Sequence, residues 1–250
     1  MSRQAFICFT LHIDLDDEFL SLLKEDSHAT CLYRLLDLVD ADLMYDIVDE
    51  FMVYYVPEEN LFNINGIKLA ITLEDVLYIT GLPITGTVVG RNSRDHGAFY
   101  RALKIDPKNL SRKDRVKVEM LKKIAIDTNS NPEHRKIVVL IILVDSIITP
   151  SPDGHGIPSS YVQYLEKLDN VKDYAWGAAL LAFLYIGLRK HNKGVKKIDG
   201  NLWIVFVIGF DMKEVLAHHM APFLPHFFKN IQKLSYNHRL DDSHRVKAVF

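Results

Sequence analysis

The sequence has few cysteines, and they lack the spacing by which cysteines commonly hold a metal. The chain of 250 residues contains only Cys8 and Cys31, and these form no CxxC pair. Two separated thiols are typical of a reducing compartment, where disulfides are rare. We therefore expect two buried or half-buried thiols, and neither a disulfide framework nor a zinc centre.

Glycine-rich phosphate loops and nucleophile motifs are also missing. Gly81, Gly86 and Gly90 follow a predicted helix, whereas a phosphate loop lies between a strand and a helix. No GxSxG turn surrounds a serine, and the adjacent His218 and His219 would point to different faces of a helix. The sequence thus predicts no catalytic residue, no metal ligand and no cofactor. A convergent carboxylate pair, which spacing cannot reveal, leaves a degenerate enzyme as an alternative.

No apolar run is long enough to cross a membrane, since a spanning helix needs about 20 such residues. The runs at 137–144, 175–188 and 202–210 instead predict central elements that are buried on all sides. A strand is the less favoured alternative for 137–144, where β-branched residues are frequent. Residues 5–13 lack a following small-residue cleavage site, so we expect no signal peptide.

An excess of one charge is absent as well, because the formal net charge is only -2. No overall field therefore draws the chain to nucleic acid or to anionic lipid. Two basic segments are local exceptions that could contact phosphates or a partner protein. Their residues are Arg112, Lys113, Arg115 and Lys117, and then Arg189, Lys190, Lys193, Lys196 and Lys197. Solvated helix faces are the simpler interpretation, since no aromatic residues interleave to stack bases.

What remains is a composition that is 48% hydrophobic and 25% charged, as in an ordinary globular protein. Hydrophobic spacing predicts a mainly α protein, a single compact multi-helix domain with buried central helices and a small β-hairpin near 61–71. Asn65-Gly66 is the strongest hairpin signal. Besides the apolar runs at 137–144 and 175–188, helices are expected within 16–52, from Thr72, from about Ser111 to Ile126, and at 160–171. Residues 84–97 read as an exposed loop with a short strand at 87–89.

Three blocks of this sequence together resemble the plant mobile domain, a module of plant nuclear proteins and plant transposable elements. The blocks are FNINGIKLAITLEDVLYITGLPITG at 62–86, the stretch at 135–185 that contains YVQYLEKLDNVKDYAWGAALLAFLY, and VKKIDGNLWIVFVIGFD at 195–211. Their order and spacing match the family over most of 30–211. The chain departs from the family at Asp199-Gly200-Asn201, where members often carry Gly-Gly-Cys. The family's usual Leu-Gln pair in the last block is also absent.

The resemblance implies a transposon-related helical domain without catalytic residues of its own. It also implies location in the nucleus and a nuclear protein partner, such as a phosphatase of the PP7 type, in transposon silencing and meristem maintenance. The family is sometimes labelled "aminotransferase-like", but this sequence offers no candidate lysine for a cofactor, so it does not support that label. The matching positions are expected to be structural: Asp75, Gly81, Leu82, Pro83, Tyr174, Trp176 and Gly200.

The resemblance also divides the chain. Residues 1–29 would be an N-terminal segment packed on the domain, 30–215 the helical domain, and 216–250 a polar tail that is partly helical. The function it favours is a non-enzymatic nuclear interaction module, linked to silencing of transposable elements or to transcription and chromatin regulation. A nucleic-acid-binding module encoded by a mobile element is the alternative that the basic segments suggest.

Overall fold

The computed structural model describes residues 15–26, 30–33, 35–36, 52–64, 66–90, 97–110, 115–150 and 156–192. Helices there are α1 (Asp17–Glu25), α2 (Thr30–Tyr33), α3 (Leu73–Thr80), α4 (Ala98–Leu103), α5 (Val118–Ile126), α6 (Pro132–Leu143) and α7 (Trp176–Asn192). Strands are β1 (Tyr55–Val56), β2 (Leu61–Ile64), β3 (Ile67–Leu69), β4 (Arg115–Val116) and β5 (Ile157–Pro158). The mainly helical prediction is confirmed. The predicted apolar element at 202–210 and the tail at 216–250 lie outside the described residues.

Helix α6 lies at the centre of the core because its sequence is apolar on every side. All residues from 137 to 143 are buried, and a π-helical turn at Val144–Ile148 continues the helix. Helices α2, α4 and α5 pack against it. The strand alternative for 137–144 is therefore wrong, since covering by neighbours on several sides suits a buried helix. Helix α6 starts at Pro132, and the side chain of Asn131 caps it by accepting a hydrogen bond from the Glu133 amide at 2.8 Å.

The hairpin predicted from Asn65-Gly66 is confirmed as strands β2 and β3. Phe62 pairs with Leu69 and Ile64 with Ile67, in antiparallel register. Gly66 takes a φ of 92°, which favours glycine, and its amide donates to the Asn63 side chain at 3.0 Å. Strand β1 adds to the other edge of β2, so the sheet has the order β1-β2-β3.

Helices α3 and α7 pack against each other and run in opposite directions. The hydroxyl of Tyr185, late in α7, donates to the carbonyl of Ile71, just before α3 begins. At the other end, the amide of Gly177 donates to the carbonyl of Pro83, just after α3 ends. The predicted core helix at 175–188 is thus confirmed as α7, with Leu180, Leu184 and Leu188 fully buried.

Two helix predictions are wrong. The helix expected from Ser111 starts only at Val118, because Arg115 and Val116 pair as a strand with Pro158 and Ile157. Ser111 itself lies outside the described residues. The amphipathic helix expected at 160–171 is instead two 3₁₀ helices, Ser159–Tyr164 and Leu168–Asp173. The first four residues of the first 3₁₀ helix, 159–162, are all buried, which an amphipathic helix with one solvent face would not allow.

Helix α3, which is expected from Thr72, begins with a reciprocal capping box between Thr72 and Asp75. The Asp75 amide donates to the Thr72 hydroxyl at 3.2 Å, and the Thr72 amide donates to the Asp75 carboxylate at 2.7 Å. Two amides that the helix itself leaves unbonded are thereby satisfied.

We expect Thr72→Ala to lower the free energy of unfolding by about 1 kcal/mol, since it removes one cap acceptor. Thr72 is exposed, so no cavity is created. Urea denaturation measures the change. Thr72→Ser is the matched control because it keeps the hydroxyl, and equal losses in both variants would contradict a role for the cap.

Candidate interaction surface

Residues 81–90, here called the strap, leave helix α3 and cross the start of helix α7. Gly81 ends α3 in the left-handed conformation, with φ 67°, and its amide donates to the Leu77 carbonyl at 2.8 Å. Leu82 then turns fully into the core. The strap therefore starts from a fixed point.

Backbone hydrogen bonds attach the strap to the segment Asp173–Gly177. The Thr87 amide donates to the Asp173 carbonyl at 2.8 Å, and the Ala175 amide donates back to the Thr87 carbonyl at 2.9 Å. This is one parallel bridge between Thr87 and Tyr174. The strand predicted at 87–89 is thus reduced to a single residue pair, whose partner lies far along the chain.

Glycines allow the two segments to approach this closely. Gly86 has a φ of +125°, and a Cβ there would lie 2.4 Å from the Asp173 carbonyl oxygen. A Cβ on Gly177 would lie 3.0 Å from the side chain of Ile84 and 3.2 Å from the Leu82 carbonyl oxygen. Glycine is needed at position 86, where backbone occupies the space of a side chain, and at position 177 a side chain would be tightly placed.

An aromatic cluster fixes the far end of the strap. Trp176 is fully buried and donates through Nε1 to the Val171 carbonyl at 2.8 Å. Tyr174 is half-buried, with its ring 6.0 Å from Trp176 and 5.1 Å from Tyr164 in edge-on arrangements. The Tyr164 hydroxyl donates to the Gly90 carbonyl at 3.1 Å and accepts from the Gly90 amide at 3.2 Å.

The middle of the strap faces solvent although both of its ends are held. Residues 85–88 are exposed, and Val88 has 79% of its surface accessible, while Leu82 and Val89 are buried. An exposed segment that a rigid scaffold holds in one conformation is where binding residues commonly lie. Among the described residues, the strap is therefore our candidate interaction surface.

The basic residues predicted to contact phosphates or a partner are partly used within the chain. Half-buried Arg115 donates to the Gly156 carbonyl at 3.1 Å, and Arg189 donates through Nε to the Asn60 side chain at 2.8 Å. Lys117, the residue before α5, and Lys190, near the end of α7, are exposed. The other predicted basic residues lie outside the described residues: Arg112, Lys113, Lys193, Lys196 and Lys197. Gly200, which was predicted as a structural position, also lies outside them.

Neither a metal cluster nor a membrane span occurs in the described part of the chain. No group of three or more His, Cys, Asp or Glu side chains there could hold a metal ion. None of the described helices combines the length and the apolar character that crossing a membrane requires. Cys31 is half-buried, and Cys8 lies outside the described residues.

We expect Gly86→Ala to lower the free energy of unfolding by about 3 kcal/mol or more, because it combines a positive φ with a backbone clash. Gly66→Ala is the matched control. It has a φ of +92° but nothing within 4 Å of a new Cβ, so only about 1–2 kcal/mol should be lost. Urea denaturation of both variants compares them. Equal losses of unfolding free energy in the two variants would show that a Cβ at position 86 does not clash with the backbone of Asp173.

The family model of the plant mobile domain matches residues 32–211. Among curated proteins of Arabidopsis thaliana, Protein MAINTENANCE OF MERISTEMS is 32% identical over 215 residues, which covers 80% of this chain and 44% of that protein. Protein MAIN-LIKE 2 is 31% identical over 139 residues, covering 52% of this chain and 21% of that protein.

A third relative carries the name of an enzyme. Serine/threonine-protein phosphatase 7 long form homolog, also from Arabidopsis thaliana, is 24% identical over 182 residues, covering 68% of this chain and 13% of that protein. The chain thus spans less than half the length of each of these relatives. No solved structure matches the chain.

Proposed function

Because the chain belongs to the plant mobile domain family, we propose that it is a non-enzymatic protein-interaction module whose strap contacts a partner protein. The observation that carries the proposal is the fixed and exposed conformation of residues 85–88. A partner that binds a preformed segment does not have to order it, so little conformational entropy is lost on binding. Val88 would supply an apolar contact on that surface.

The proposed setting is the plant nucleus, in silencing of transposable elements or in transcription and chromatin regulation. Similarity to Protein MAINTENANCE OF MERISTEMS over 80% of the chain supports a regulatory setting of this kind. A phosphatase of the PP7 type is the proposed partner. Its support is that a region similar to this chain also forms part of a protein named as a phosphatase 7 homolog.

Retention of nuclear proteins on the tagged chain tests the proposal. The bait is incubated with nuclease-treated plant nuclear extract, and the retained proteins are identified by mass spectrometry. We expect a PP7-type phosphatase or another silencing factor to be retained. Val88→Asp should reduce that retention at least tenfold, which corresponds to about 1.4 kcal/mol of binding free energy.

Val53→Asp is the matched control for this experiment. Val53 is 80% exposed and Val88 is 79% exposed, so each variant adds the same charge at an equally accessible valine. Equal loss in both variants would reject the strap as the contact surface. Binding to DNA or RNA that weakens steeply with salt would favour the nucleic-acid alternative instead, and turnover of a substrate that a point mutation abolishes would favour an enzyme.

A further inference from the structure

Helix α1 lies before the segment that the family model matches, yet it is fastened to the core at both of its ends. The match begins at residue 32, whereas α1 spans Asp17–Glu25 and buries Phe19 and Leu23. Consecutive residues of helix α6, Arg135 and Lys136, reach the two ends of α1. The surface that receives α1, formed by Arg135, Lys136 and the apolar core beside them, is called the α1 seat.

Arg135 holds the first end of α1. Its side chain is only 8% exposed and pairs through Nη2 with Asp16 at 2.8 Å. Asp16 is also the cap of α1, since it accepts from the Phe19 amide at 2.8 Å. The guanidinium lies 3.8 Å from the centroid of the Phe19 ring, and its Nε donates to the Ala125 carbonyl at 2.8 Å. The last bond belongs to the core itself, so it fixes Arg135 independently of α1.

Lys136 holds the second end of α1. Its ammonium lies 2.6 Å from the carboxylate of Asp26, the residue that follows the helix. The Asp26 side chain is 6% exposed and that of Lys136 is 19% exposed, so water screens this pair little. Between the two ends, Phe19 and Leu23 stand four residues apart on one face, while Leu22 is 46% exposed. The residues of this segment that contact the seat thus form the pattern D-x-x-F-x-x-x-L-x-x-D at 16–26.

We propose that the α1 seat is a docking site for an acidic amphipathic helix of a partner protein, and that α1 occupies this site in the free chain. The proposal rests on the proposed function of the chain as an interaction module. The Ala125 carbonyl still holds the Arg135 side chain in place when α1 leaves, so a positive charge stays at the seat. A helix that occupies the seat covers both cations, and a covered cation without its anion is costly. The seat therefore favours a helix that carries carboxylates at both ends.

The shortness of α1 favours exchange with another helix. A helix of 9 residues is barely stable by itself in water, so α1 depends on the seat for its structure. As part of the same chain, however, it is present at an effective concentration on the order of millimolar. A partner helix therefore binds well only when it is abundant, or when α1 is pulled away.

Cutting the folded chain between α1 and α2 tests the proposal. A protease site is placed at residues 27–29 of the full chain, which is cleaved after folding. The probe is a fluorescent helical peptide built of alanine and glutamine. It shares with residues 16–26 only the Asp, Phe, Leu and Asp at the four pattern positions. We expect fluorescence anisotropy to show binding to the cleaved chain, and binding at least tenfold weaker to the uncleaved one. A peptide with lysine at both Asp positions should not bind.

A charge swap separates docking from a general loss of folding. Lys136→Glu should abolish binding of the first peptide to the cleaved chain. Binding should return with a peptide that carries lysine at the last pattern position only. Helical circular dichroism of each variant confirms that the chain is folded.

Failure to bind the peptide after cleavage, whether α1 stays or leaves, overturns the docking site. Equal binding to cleaved and uncleaved chain overturns occupation by α1. Retention of nuclear proteins through Val88 is measured separately, so the strap proposal survives either result.

Discussion

The rest of the structure depends on one constraint, which is that helix α6 is apolar on every side. Such a helix is stable in water only when neighbours cover it, and here α2, α4 and α5 supply much of the cover. Its polar groups are confined to the start, where Asn131 caps the helix and Arg135 and Lys136 reach α1. Truncating one of its buried leucines to alanine typically costs about 2–5 kcal/mol, a large part of the stability of a whole domain.

The second half of the fold is joined by backbone contact rather than by side-chain packing alone. The strap and the start of α7 exchange hydrogen bonds through Thr87, and Gly86 and Gly177 leave no space between them. These residues belong to the GLPITG and DYAWG stretches through which the sequence resembles its family. The two stretches lie about 90 residues apart in sequence but form one structural unit. In this chain, close backbone approach joins the two stretches.

The sequence predicted those elements whose causes are local. Asn65-Gly66 specifies a turn, Thr72 and Asp75 cap a helix, and long apolar runs give α6 and α7. It failed where a distant partner decides the structure. Arg115 and Val116 come shortly before helix α5 but pair as a strand with residues 157–158. Residues 159–162 are buried by tertiary packing that the sequence periodicity does not show.

The same limit applies to the candidate surfaces. Basic residues are visible in a sequence, but their hydrogen bonds to Gly156 and Asn60 are not, so Arg115 and Arg189 looked more available than they are. An exposed loop was predicted at residues 84–97, and residues 85–88 of the strap are exposed. Its attachment at Thr87 and Gly90 could not be foreseen, because the partners Asp173 and Tyr164 lie 74 or more residues away.

The two proposed surfaces differ in the physics by which they would recognise a partner. The strap offers a fixed backbone and one exposed valine, so shape and apolar contact would govern binding there. The α1 seat offers two cations, one of them fixed by a core carbonyl, so charge would decide which helix it accepts. A partner that bound both surfaces would have to match the strap in shape and the α1 seat in charge. When one partner binds both surfaces, its affinity rises although neither surface gains a contact. Recognition of a partner by two surfaces does not require a catalytic residue.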